Sequence, residues 1–154
     1  MTKRIFRAVC AAALAVFVVT LVLILGVLYN YFSSVQQSQL KVETALAAQG
    51  VTQSGAGYFD GLDTARYRIT WIAPDGNVLY DSFSDSVSME NHLRREEIQQ
   101  ALSSGYGESA RYSSTLMQRS LYSAQRLPDG SVIRLSVSHG TVLLLLIGMI
   151  QPIL

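Results

Sequence analysis

Six residues on strand-like stretches carry the side chains best suited to hold a small molecule: Arg68, Trp71, Tyr80, Arg111, Tyr112 and Tyr122. Arginine grips a carboxylate or phosphate through two parallel hydrogen bonds, and the aromatics would wall the same pocket. The plainer use of these residues is as buried core for the aromatics and as a solvated sheet face, or ion pairs, for the arginines. A second group, Asp85, Glu90 and His92, offers mixed oxygen and nitrogen donors. One histidine and loosely spaced carboxylates lack the spacing of a metal site, so no metal is assigned. Asn91 and His92 are better suited to fastening a loop and capping the helix that follows through hydrogen bonds.

Covalent chemistry finds little to work with. Gly55 and Gly57 lie in a Ser/Ala-rich loop with no Lys-Ser/Thr after them, so there is no phosphate-binding loop. Neither a His-Glu-x-x-His pair nor a nucleophile elbow is present. No catalytic residue is assigned, and the segment calls for no cofactor of its own.

The elements that must position these residues follow from periodicity. Residues 66–73 alternate Tyr67, Ile69 and Trp71 with Arg68, Thr70 and Ile72, the pattern of a strand with two different faces. Pro-Asp-Gly at 74–76 turns the chain into a second strand, 77–82, because proline pre-sets φ and glycine accepts a positive one. The same turn chemistry recurs at 128–130, between strands at 118–127 and 131–138, where Ile133, Leu135 and Val137 alternate with Arg134, Ser136 and Ser138. Residues 108–115 supply a fifth strand. Between the hairpins, Ile98, Ala101 and Leu102 line one side of a short helix that stops at Gly105. Before the strands, 33–49 reads as a helix with Val35, Val42 and Leu46 on one face and Gly50 as its stop, followed by a loop over 50–63. That face either packs on the sheet or pairs with its copy in a dimer. The order predicts an α+β fold: a long N-terminal helix, then a five-stranded antiparallel sheet with a short intervening helix.

Charge decides where the fold resides. The chain is 49% hydrophobic and only 15% charged. Residues 8–28 hold no charge at all, and as a helix they reach roughly 31 Å, the thickness of a bilayer core. The run is longer than a signal-peptide core of about 7–15 residues. It also exits into Tyr29, Tyr31 and Phe32, which suit the headgroup layer. Lys3, Arg4 and Arg7 precede it, so the positive-inside rule keeps the N-terminus in the cytoplasm. Cys10, the single cysteine, lies within this run as a lipid-facing residue. Nine Lys/Arg against eleven Asp/Glu over 32–140 leave no basic stripe for nucleic acid. Thr141–Leu154 is again uncharged but reaches only about 21 Å as a helix, which reads as a second span cut short. The expected layout is a cytoplasmic tail (1–7), a transmembrane helix (8–31), an extracytoplasmic domain (32–139) and the start of a return span (140–154).

The residues Asp75-Gly76, Leu79-Tyr80-Asp81-Ser82, Met89-Glu90-Asn91-His92, the helix from Glu97 to Gly105, and Leu127–Gly130 resemble a known family. They look like the extracytoplasmic sensor domain of phosphate-regulon-type and related two-component sensor histidine kinases of Gram-positive bacteria. The resemblance runs over residues 1–154 and is strongest over 69–138. One departure is Arg95-Glu96-Glu97, where the family commonly has Arg-Pro-Glu; proline suits a first helical turn but is not required there. The resemblance implies a PAS-like or single-Cache fold between two spans, with a ligand, where there is one, held against the sheet beside the intervening helix. It also implies a homodimer in the cell membrane, and a cytoplasmic part with a phospho-accepting histidine, an ATP-binding domain using ATP and Mg, and a response-regulator partner. Neither His92 nor His139 suits the phospho-acceptor role, since both fall outside the cytoplasm in this layout. Another two-span receptor, a chemotaxis receptor or a cyclase, shares such an input module. A stand-alone membrane interaction protein is the reading from a different class.

Overall fold

In the computed structural model of the chain, residues 2–62, 67–113 and 118–140 are described, apart from the side chains of residues 2, 87, 112, 113, 118, 119, 139 and 140. The chain divides into two compact units, 1–36 and 37–154. The element order is α1 (Thr2–Ser54), a 3-10 turn (Gly55–Phe59), β1 (Arg68–Ile72), β2 (Val78–Asp81), a second 3-10 turn (Ser86–Ser88), α2 (Glu96–Ser104), β3 (Tyr106–Ser113), β4 (Gln118–Arg126) and β5 (Val132–Gly140).

The first unit is the leading part of α1. It contains an 18-residue stretch of mean hydropathy 3.0 with none of it buried, and Val16, Phe17 and Leu23 are each more than 60% exposed. This is a helix long and apolar enough to cross a membrane. The Thr20 hydroxyl donates to the Val16 carbonyl at 2.9 Å, so this polar group makes its bond within the helix.

The second unit is an α+β domain. Its five strands are antiparallel in the order β2-β1-β5-β4-β3. The two Pro-Asp-Gly turns close alike. Gly76 N–H donates to Ala73 O at 2.9 Å and Gly130 N–H to Leu127 O at 3.0 Å. Asp75 and Asp129 each accept the backbone N–H two residues on.

The sheet has a helix on each face. The later turns of α1 bury Leu40, Thr44, Ala47, Ala48 and Val51, the stripe that a 3.6-residue period sets on one side. With Phe59, Ile69, Leu121, Ile133 and Leu135 they form the larger apolar cluster. On the other face, α2 packs Ile98 and Ala101 against Ile72, Ala124 and Val132. Gly107 lets α2 sit tight on β3, because a side chain there would run into the Glu97 carbonyl.

Two expectations for α1 are corrected. Gly50 does not end the helix, which runs on to Ser54, and the stretch from 50 to 59 is helical rather than loop. The ring of Tyr58 packs where a Gly50 side chain would be, so this glycine makes room for an aromatic and does not terminate. Val42 and Leu46 do not pack on the sheet; they are 58% and 54% exposed. The short helix does stop at Gly105, in the left-handed conformation with φ of 92°. Thr141–Leu154, read as the start of a second span, lies outside the described residues.

Candidate functional site

Five of the six pocket candidates can be placed, and they divide between the two faces. Trp71 and Tyr80 pair across β1 and β2 on the α1 side, packed on the larger cluster. Tyr80 stacks on Phe59 at 4.0 Å between centroids, and the Trp71 indole N–H donates to Ser131 Oγ at 3.0 Å. Both aromatics are partly buried against that cluster. Arg68, Arg111 and Tyr122 lie on the α2 side. The side chain of Tyr112 is outside the described residues.

On the α2 side two carboxylates draw the arginines together. Glu97, in the first turn of α2, is fully buried. It accepts from Ser109 Oγ at 2.6 Å, Arg111 Nη2 at 2.5 Å and Arg134 Nη1 at 3.4 Å. Arg134 then donates through Nη2 to Thr70 Oγ1 at 3.1 Å, and Thr70 donates to Asp81 Oδ2 at 2.8 Å. Arg68 Nε closes the chain on both oxygens of Asp81 at 3.1 Å. Asp81 also accepts the backbone N–H groups of Phe83 and Ser84, which starts the connection to α2. The Tyr122 ring lies under two guanidiniums, with Arg111 4.4 Å and Arg134 5.6 Å from its centroid, a cation–π arrangement.

The electrostatics follow from this wiring. Burial works against the charge of Glu97. The Ser109 hydroxyl, its own backbone N–H and the two arginines outweigh burial and hold its carboxyl below the usual range. Burial likewise opposes the charge of Asp81, and the bonds from Arg68, the Phe83 N–H and Thr70 overcome it. Both acids are therefore ionised partners of the arginines. Arg68 and Arg111 are ion-paired within the chain, so an incoming anion would compete with Asp81 and Glu97 for them.

Asn91 fastens the connection to the first hairpin turn. Its Nδ2 donates to Asp75 O at 2.9 Å and Asn77 Oδ1 at 3.1 Å, and its Oδ1 accepts from Leu93 N–H. Gly76 adopts a φ of 88° and has Leu93 N only 2.7 Å from where a Cβ would stand. His92 is buried, at 5% exposure; its N–H donates to Gly76 O at 2.8 Å and its carbonyl accepts from Arg95 N–H. Asn91 fastens the loop through its side chain, whereas these two bonds of His92 are backbone bonds. The expected capping is absent, because the N-cap of α2 is Arg95 and carries no side-chain cap bond.

Sequence reasoning passed over Glu97 and Arg134, the centre of this network. Arg134 alternates with buried neighbours on β5, and Glu97 opens an amphipathic helix facing it; those were the available signals. Among the described residues no three His, Cys, Asp or Glu side chains gather as a metal site. No protein-family model, curated protein or solved structure matches this chain.

Proposed function

We propose that the chain is the membrane-anchored input region of a two-component sensor histidine kinase, with a PAS-like extracytoplasmic domain. One observation carries this reading. A single helix, α1, contains the exposed apolar stretch and also supplies Leu40, Ala47 and Val51 to the core of an α+β domain. A domain whose core includes the extension of its own anchor is built so that a change in packing becomes a displacement of that anchor. The order of helix, two strands, short helix and three strands is the one the resemblance implies.

On this reading the N-terminus is cytoplasmic and Thr141–Leu154 begins a return span. An external signal acts by favouring one of two packings of the domain on α1, which requires a difference in affinity for the two. A cytoplasmic kinase part would then move phosphate from ATP, with Mg, to its histidine and on to a response regulator. Exposed Val42 and Leu46, with half-buried Val35, suit pairing of the helix with its copy in a homodimer.

The test is the reading frame beyond the codon for Leu154. A completed span followed by a histidine-bearing helix and ATP-binding boxes is the expected result. Receptor or cyclase modules in their place would move the input region to another class, and a stop codon would leave a stand-alone interaction protein.

A further inference from the structure

We infer that His92 is an acid-sensitive latch: while neutral it holds the 82–95 connection and the start of α2 against the sheet, and its protonation releases them. The inference deepens the sensor reading and rests on it only for the compartment in which acid is met.

The geometry begins with the two ring nitrogens. The His92 side chain is buried, and its Nδ1 has no hydrogen-bond partner. A protonated ring carries an N–H on both nitrogens, so a charged His92 has an N–H at Nδ1 with no acceptor. The only other buried side-chain polar atom without a partner among the described residues is Arg134 Nε. Protonation also places a charge on a ring shut away from water.

The charges around the ring make that worse. Arg134 from β5, Arg95 from the helix start and Arg68 from β1 each oppose a positive ring. The acids on the same side are committed, Glu97 to Ser109, Arg111 and Arg134 and Asp81 to Arg68 and Thr70. Asp75 in the adjoining turn is bonded to Asn77, and Glu90 is exposed and reaches His92 through its carbonyl. Burial first, then these arginines, push the His92 pKa down from 6.5 to about 4, with the Glu90 carbonyl pulling weakly the other way.

The sign follows directly. A ring freed into water titrates near 6.5, whereas the latched ring stays neutral until about 4. The latched form is fully favoured well above pH 6.5 and loses ground as pH falls through 4, by roughly 300-fold in all in the latched-to-open ratio. What opens is the segment that leads Glu97 into the ion network.

The experiment uses the full chain in lipid nanodiscs with carbon-13 in the histidine rings. His92 is distinguished from His139 by the variant His139→Gln. The ring signal is followed from pH 7.5 to 3.5, and hydrogen exchange over 82–95 is followed alongside with correction for intrinsic rate. The expected result is a His92 midpoint well below 6.5, with exchange over 82–95 rising through the same range. His92→Gln should remove that rise and leave the strands protected. Arg95→Gln, at a half-buried loop position, should move both midpoints toward neutral pH and serves if the first variant fails to fold. A His92 midpoint near 6.5, a midpoint unmoved by Arg95→Gln, or an unchanged acid transition in His92→Gln would overturn the latch. None of these bears on the reading frame beyond Leu154.

Discussion

The two faces of the sheet are held by opposite kinds of force. Against α1 the buried contact is apolar, through Leu40, Ala47, Val51, Phe59, Ile69, Leu121, Ile133 and Leu135, with Gln37 bonded to Glu108 and Lys41 over the Tyr106 ring beside it. Against α2 a small apolar patch is joined by the chain Arg111–Glu97–Arg134–Thr70–Asp81–Arg68. Apolar packing is non-directional and weakens in proportion to the area lost. A buried ion network holds only while every partner is charged and in place. The α1 face is therefore suited to staying together under strain, and the α2 face to answering a single proton or a competing anion.

Removing one charge from the α2 face should have the largest effect. Glu97→Gln leaves Arg134 buried with no full counter-charge and should cost about 3–5 kcal/mol. Urea unfolding of the chain in detergent, followed by the fluorescence of the single tryptophan, Trp71, measures it. Ile133→Ala on the α1 face removes an equally buried side chain and should cost roughly 2–5 kcal/mol, but with no change in pH dependence. A loss at Glu97 smaller than at Ile133 would mean the network is decoration on an apolar fold.

Gly76→Ala asks a side chain to adopt a φ of 88° against Asn91 and Leu93 and should cost about 1–3 kcal/mol. Hydrogen exchange over 82–95 should rise with it, because that turn anchors the latch. The smallest net change should come from replacing the central pair together. Glu97→Leu with Arg134→Met should recover most of the loss from Glu97→Gln, to within about 1–2 kcal/mol of the parent. Arg111, with its side chain 35% exposed, can turn to water in that variant. Failure of the double variant to recover would show that the network also specifies where α2 docks.

Much of this comparison could be read in the sequence. Period-two alternation puts Ile69 and Trp71 opposite Arg68 and Thr70, and Ile133 and Leu135 opposite Arg134, as the structure has them. The same alternation puts Trp71 and Arg68 on opposite faces of β1. The buried stripe of α1 was harder to see. It uses Thr44, Ala47 and Ala48, small residues of weak hydropathy, while the stronger Val42 and Leu46 point away. The helix end was hidden because Gly50 answers to Tyr58, a contact no local pattern reveals. Glu97 and Arg134 meet across 37 positions of sequence, and charged residues read locally as surface until a partner is known.

The claim on which the account turns is that this domain stands outside the cytoplasm on a membrane anchor. Alkaline phosphatase, active only outside the cytoplasm, fused after Ser138 and separately after Arg7, tests it most directly. The account predicts an active enzyme after Ser138 and an inactive one after Arg7. Activity after Arg7 with none after Ser138 would contradict it.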